Sequence, residues 1–109
     1  RDFNSPAEQI QEAKSILAKY YPEEQPDAIH LWGFAGAQVF TEALQRMGDG
    51  PITRDGLVET LEGIDGWEGS VVPSVTIGEG NAPNHFIVKD MSFVVYEGGE
   101  FKDFTPPWM

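Results

Sequence analysis

The chain contains no cysteine. Disulfides, thiolate-held zinc and thiol nucleophiles are therefore excluded, although the compartment stays open. Basic residues are scarce: 7 Lys and Arg face 18 Asp and Glu, for a net charge of −11. Nucleic acid is not an expected partner, because its phosphates must be neutralised by Lys and Arg. Anionic membrane surfaces are disfavoured for the same reason. The acids are scattered, which reads as a solvated surface that keeps the chain soluble. Only two histidines occur, His30 and His85, on different elements and without an identifiable partner. For His85, one His with no identifiable partner is weak evidence for catalysis or metal binding. No phosphate loop of the G-x-x-x-x-G-K-[ST] type and no H-E-x-x-H occurs. Ser70 and Ser74 lack the strand–elbow–helix setting of a hydrolase nucleophile. Glu23/Glu24 and Glu59/Glu62 read as surface charges, since an acid–base dyad needs burial to move its pKa values. The sequence thus offers no catalytic apparatus and calls for no cofactor. Long apolar runs are missing too. The best window, 29–47, carries His30, Gln38, Glu42, Gln45 and Arg46, too polar to span a bilayer. The first residues, Arg1-Asp2-Phe3, offer neither a signal peptide nor an initiator Met, as expected of a processed chain or a fragment.

What remains is one domain's worth of chain, 109 residues of which 40% are hydrophobic. Three helices are expected first, at about 6–20, 28–47 and 54–63. Ser5-Pro6-Ala7-Glu8 offers a capping box, Ser5 accepting from Glu8 and Glu8 reaching back, with Pro6 in the first helical position. Ile10, Ala13, Leu17 and Tyr20 then recur at helical spacing with Ile16 beside them. Tyr21-Pro22 ends the run. Asp27 is the expected N-cap of the second helix, whose main stripe reads Trp32, Ala35, Val39, Phe40, Ala43, Leu44 and Met47. Gly48 stops it. Thr53 caps the third helix, with Leu57, Val58, Leu61 and Ile64 facing inward and Gly63 closing it. Short strands follow, at about 74–77, 85–89, 92–97 and 100–104. Glu97-Gly98-Gly99-Glu100 is the tight turn of a hairpin, because paired glycines accept the positive φ such turns demand. The fold class is α/β, three helices followed by short strands and a β-hairpin. The strands are too few to cover three apolar helix faces, which points to part of a larger core.

The segment His30-Leu31-Trp32-Gly33-Phe34-Ala35-Gly36-Ala37 sets bulky aromatics among residues too small to cover anything. It is apolar nearly all round, so it should be buried on more than one side. Gly33 and Gly36 each weaken a helix by about 1 kcal/mol relative to Ala. Such glycines suggest that another backbone, or a ligand, comes close.

The stretch Gly33-Phe34-Ala35-Gly36-Ala37-Gln38-Val39-Phe40-Thr41-Glu42-Ala43-Leu44-Gln45-Arg46-Met47-Gly48 resembles a late helix of the type I periplasmic solute-binding proteins. These serve ABC importers of branched-chain amino acids and related small molecules. Thr53-Arg54-Asp55-Gly56-Leu57-Val58-Glu59-Thr60-Leu61 matches the family's next pattern. Gly66 to Gly69, Val75-Thr76-Ile77, His85 and Gly98-Gly99-Glu100-Phe101 then follow in the family's order. The resemblance covers nearly the whole chain and rests on the ordered set, no single motif being diagnostic.

It implies that residues 1–109 are the C-terminal fragment of a two-lobed binding domain, with solute held between lobes and closure read by a membrane permease. The implied partners are a small amino acid or similar ligand, that permease and the rest of the protein's own chain. The fragment's uncovered faces could also self-associate. The implied location is extracytoplasmic, with any lipid anchor upstream. In some members the aromatic matched by Phe34 lines the ligand cleft. Here it is Phe where Tyr is common, so any contact is apolar. Trp32 could form a second wall. The competing reading makes both aromatics core residues. Two other functions stay open: a sensory domain on the same fold, and a free-standing small α+β interaction domain.

Overall fold

A computed structural model describes residues 4–77 and 93–108. The expected strand at 85–89 and His85 lie outside the described residues. The described elements are α1 (Glu8–Tyr20), α2 (Ala28–Met47), α3 (Arg54–Glu62), β1 (Phe93–Glu97) and β2 (Glu100–Phe104). The fold is mixed α/β, three helices followed by two antiparallel strands.

α1 begins two residues later than its sequence suggests. Ala7 is the N-cap, with ψ 137°, and no side chain caps the helix. Ser5 is therefore too far upstream to serve. Its Oγ instead accepts from the Ala7 N–H at 3.4 Å, and the Gln11 side chain donates to the Ser5 carbonyl at 2.9 Å. This local turn, a habit of Ser side chains, replaces the expected capping box. Ile10, Ala13 and Leu17 are the buried positions, whereas Tyr20 and Ile16 are exposed.

Asp27 caps α2 as its position suggests. Its Oδ1 accepts from the Ile29 and His30 N–H groups at 2.9 and 3.0 Å. Gly48 terminates the helix with φ +69°, the left-handed region where Gly carries no Cβ penalty. The buried stripe is Leu31, Ala35, Val39 and Ala43. This corrects the expected stripe: Trp32 is 78% exposed and Phe40 51%. The physical reason is phase. An N-terminal half that is apolar on every side carries no polar residue to say which face is outside. Packing then chose the i, i+4 row of small and medium side chains, which lets α2 approach its neighbours closely.

Thr53 caps α3, its Oγ1 accepting from the Gly56 N–H at 3.1 Å. The segment after α3 folds back on α2. The Ile77 N–H donates to the Ile64 carbonyl at 2.8 Å, and Trp67 and Val75 exchange two backbone hydrogen bonds. That pair is an isolated bridge rather than the expected strand over 74–77. Pro73 has no N–H to extend the ladder, and Gly66, at φ +63°, turns the chain just before it.

Two apolar clusters result, and α2 contributes to both. Leu31 and Ala35 join Ile10, Ala13 and Val71. Val39 joins Ile64, Val75 and Ile77. Ile10 and Ile64 are fully buried, so truncating either to Ala should cost about 2–5 kcal/mol.

The hairpin pairs Phe93 with Phe104 through to Glu97 with Glu100. Gly98 and Gly99 both have positive φ, 66° and 88°, as a two-residue type I′ turn requires. The Tyr96 and Phe101 rings pack across the pair at 5.1 Å. Every residue of both strands is nonetheless exposed, including Phe93, Val95 and Phe104. An isolated two-stranded hairpin is marginal in water, so these apolar faces need a partner surface.

Candidate functional site

Two grooves open along α2, each beside one of its glycines. The first, about 600 Å³, lies between the end of α1 and the start of α2. Ile16, Leu17 and Tyr20 line it from α1, at the i, i+1, i+4 spacing that makes one helix face. Ile29, His30, Gly33, Phe34 and Ala37 line it from α2, and Tyr21 and Glu24 close it from the connection. The second groove, about 430 Å³, is bounded by Gly36, Val39 and Phe40 of α2, Val58, Leu61 and Glu62 of α3, and Ile77. A Cβ added at Gly33 or Gly36 would meet no atom within 4 Å. No described backbone comes close to either glycine. Their lack of side chain instead keeps the grooves open, which accounts for small residues among aromatics.

Phe34 is half-buried and faces two ways. It packs against the cluster of Ile10, Ala13, Leu31, Ala35 and Val71, and it also lines the larger groove. Trp32 lies elsewhere on the helix surface and lines neither groove. The two aromatics singled out in the sequence are therefore not brought to one site. The residues that join Phe34 instead, Tyr20, Tyr21, Glu24 and His30, lie outside the aromatic-and-glycine segment. Their juxtaposition depends on how α1 meets α2, and only the turn signal at Tyr21-Pro22 hinted that the chain reverses there.

His30 is the groove's most constrained polar group. Its Nδ1 stands 3.3 Å from the Asp27 N–H and 2.8 Å from Asp27 Oδ1. Nδ1 can offer a lone pair to the first or a proton to the second, but not both. The hydrogen bond is the first: the Asp27 N–H donates to Nδ1, and together with Asp27 Oδ1 accepting from the His30 N–H it completes a capping box. In the neutral ring, Nε2 then carries the proton and is a donor. The His30 backbone N–H, followed by the attraction of the His30 side chain, holds the Asp27 carboxyl below its ordinary value. Exposure of the cap and its place at the positive end of α2 favour the same ionised state.

Among the described residues, no group of three His, Asp or Glu side chains gathers as a metal site, and no helix is long and apolar enough to cross a membrane. Among the described residues, the acids bordering the grooves are Glu24 in the first and Glu62 in the second, and no Lys or Arg lines either.

A family model described as periplasmic binding protein matches residues 2–100. The chain belongs to the periplasmic binding protein family. Membership brings a general role in binding a solute, an extracytoplasmic location, and a family that is generally non-catalytic. No curated protein and no solved structure matches the chain. The three-helix and hairpin order described above is consistent with a part of the fold of periplasmic binding proteins.

Proposed function

We propose that residues 1–109 are the C-terminal part of the extracytoplasmic solute-binding component of an ABC importer. The protein is non-catalytic. It captures a small amino acid or related organic solute between two lobes, and a membrane permease reads the closed state. The carrying observation is the family match across residues 2–100. The larger groove supports the reading, being concave, mainly apolar and bordered by few polar groups, as small-molecule sites are. The exposed hairpin faces and Trp32 favour a piece of a larger body over a free-standing interaction domain, whose apolar faces would be covered.

Phe34 is assigned as an apolar wall of the solute site. Trp32, exposed on another face, is the second wall only if the other lobe closes over that side of α2. The test is thermal melting of the full-length protein against a panel of aliphatic amino acids, aromatic acids and small amides. At least one solute should raise the melting temperature, as ligand binding to the native state must. Phe34→Ala should weaken that solute about tenfold, the loss of ~1.4 kcal/mol of apolar contact. A panel without effect would contradict the solute-binding role. A solute indifferent to Phe34→Ala would remove Phe34 from the site.

A further inference from the structure

We infer that Asp49-Gly50 is a site of spontaneous isoaspartate formation, and that the fold holds the chain's other two Asp–Gly pairs unreactive. The inference is independent of the solute site.

The three pairs are Asp49-Gly50, Asp55-Gly56 and Asp65-Gly66. In each, glycine leaves the peptide nitrogen that follows Asp unshielded by a Cβ. That nitrogen can attack Cγ of the protonated Asp carboxyl. The new N–Cγ bond closes a five-membered succinimide, and the carboxyl hydroxyl leaves with the N–H proton as water. A second water then opens the imide. Attack at Cγ restores Asp. Attack at the main-chain carbonyl leaves the chain running through the side chain, with the α-carboxylate free. Water is the one co-reactant. Closure requires an unengaged nitrogen, an unengaged carboxyl and a ψ far from the helical value.

Two pairs fail these conditions. In Asp65-Gly66 both reacting groups are tied to one hydroxyl: the Gly66 N–H donates to Thr76 Oγ1 at 2.9 Å, and the Thr76 O–H donates to Asp65 Oδ1 at 3.2 Å. Asp55-Gly56 lies in the first turn of α3, where ψ is helical, and the Gly56 N–H donates to Thr53 Oγ1 at 3.1 Å. Asp49-Gly50 differs on every count. It follows the Gly48 that ends α2, on the exposed connection to α3. Among the described residues, neither the Asp49 carboxyl nor the Gly50 N–H has a hydrogen-bond or ion-pair partner. Such exposed connections between elements are where backbone chemistry is least restrained.

The test ages the full-length protein in water enriched in heavy oxygen, then digests it and separates the peptides by chromatography and mass spectrometry. The Asp49 peptide should yield a resolved isomer carrying one heavy oxygen. Its rate should exceed those at Asp55 and Asp65 by about tenfold or more. In denaturant the three rates should converge. Gly50→Ala should suppress the isomer without lowering the melting temperature, because a Cβ there would meet only the Met47 carbonyl, at 4.0 Å. Thr76→Val should raise the Asp65 rate toward that of Asp49, by releasing both groups of that pair. Absence of the isomer at Asp49, or equal reaction at Asp55 or Asp65 in the folded protein, would overturn the inference. So would an Asp49 lead that persists unchanged in denaturant, since flanking sequence and not the fold would then set it.

Discussion

Gln38 Oε1 accepts from the Val71 backbone N–H at 2.9 Å and from Ser70 Oγ at 3.2 Å, across 33 and 32 residues of sequence. One amide oxygen on α2 thereby fixes the loop that supplies Val71 to the first apolar cluster. Ser70 and Val71 are both buried, so no water stands ready to replace that oxygen.

Gln38→Ala should cost about 1–3 kcal/mol, the penalty for leaving a buried donor unpaired. Chemical denaturation measures the loss. Amide exchange at Val71 should accelerate more than at Leu31, which belongs to the same cluster but not to the hydrogen bond.

Gly69 stands against an aromatic ring. A Cβ there would lie 2.5 Å from Trp67 Cζ2. Gly69→Ala should therefore displace the indole and destabilise the protein by about 1–3 kcal/mol, a typical overpacking cost. Trp67 packs on the Val39–Ile64 cluster, so its displacement should red-shift the tryptophan emission when compared with a Trp67→Phe control.

The Asp27 cap gives stability a pH dependence. Its carboxyl is held below its ordinary value in the folded protein, chiefly by the His30 N–H. Its contribution is therefore complete above the unfolded value and disappears as pH falls through the folded one. Melting temperatures taken downward through the acid range should fall less steeply for Asp27→Asn than for the wild type. Equal slopes would mean that the cap carries no pH-dependent stability.

Gly33 separates stability from binding. Gly33→Ala meets no neighbouring atom and should raise stability by about 0.5–1 kcal/mol, the helix-propensity gain. Gly33→Leu should leave the fold intact but fill the groove, reducing solute affinity at least tenfold by the arithmetic of one lost apolar contact. Unchanged affinity in Gly33→Leu would place the solute elsewhere.

The features legible in the sequence were those decided within a few residues. Asp27 and Thr53 cap their helices because a short acceptor side chain reaches its own helix's N–H groups. Gly98-Gly99 makes its turn because φ alone selects glycine there. The face buried by α2 was not legible. Leu31 and Trp32 are adjacent, both apolar, and the choice between them was made by α1 and the loop at Val71. Ser5 misled because a capping signature two residues early is satisfied just as well by a local turn. The groove was least visible of all. Glu24 and Tyr21 read as connection residues, and they become lining only once α1 and α2 pack at that end.

We propose that this chain works as part of a larger, extracytoplasmic binding protein. Its most direct test is an immunoblot of fractionated source cells, using an antibody raised against residues 1–109. The expected band is several times larger than 12.1 kDa and lies in the extracytoplasmic or membrane-anchored fraction. A band at 12.1 kDa confined to the cytosol would contradict it.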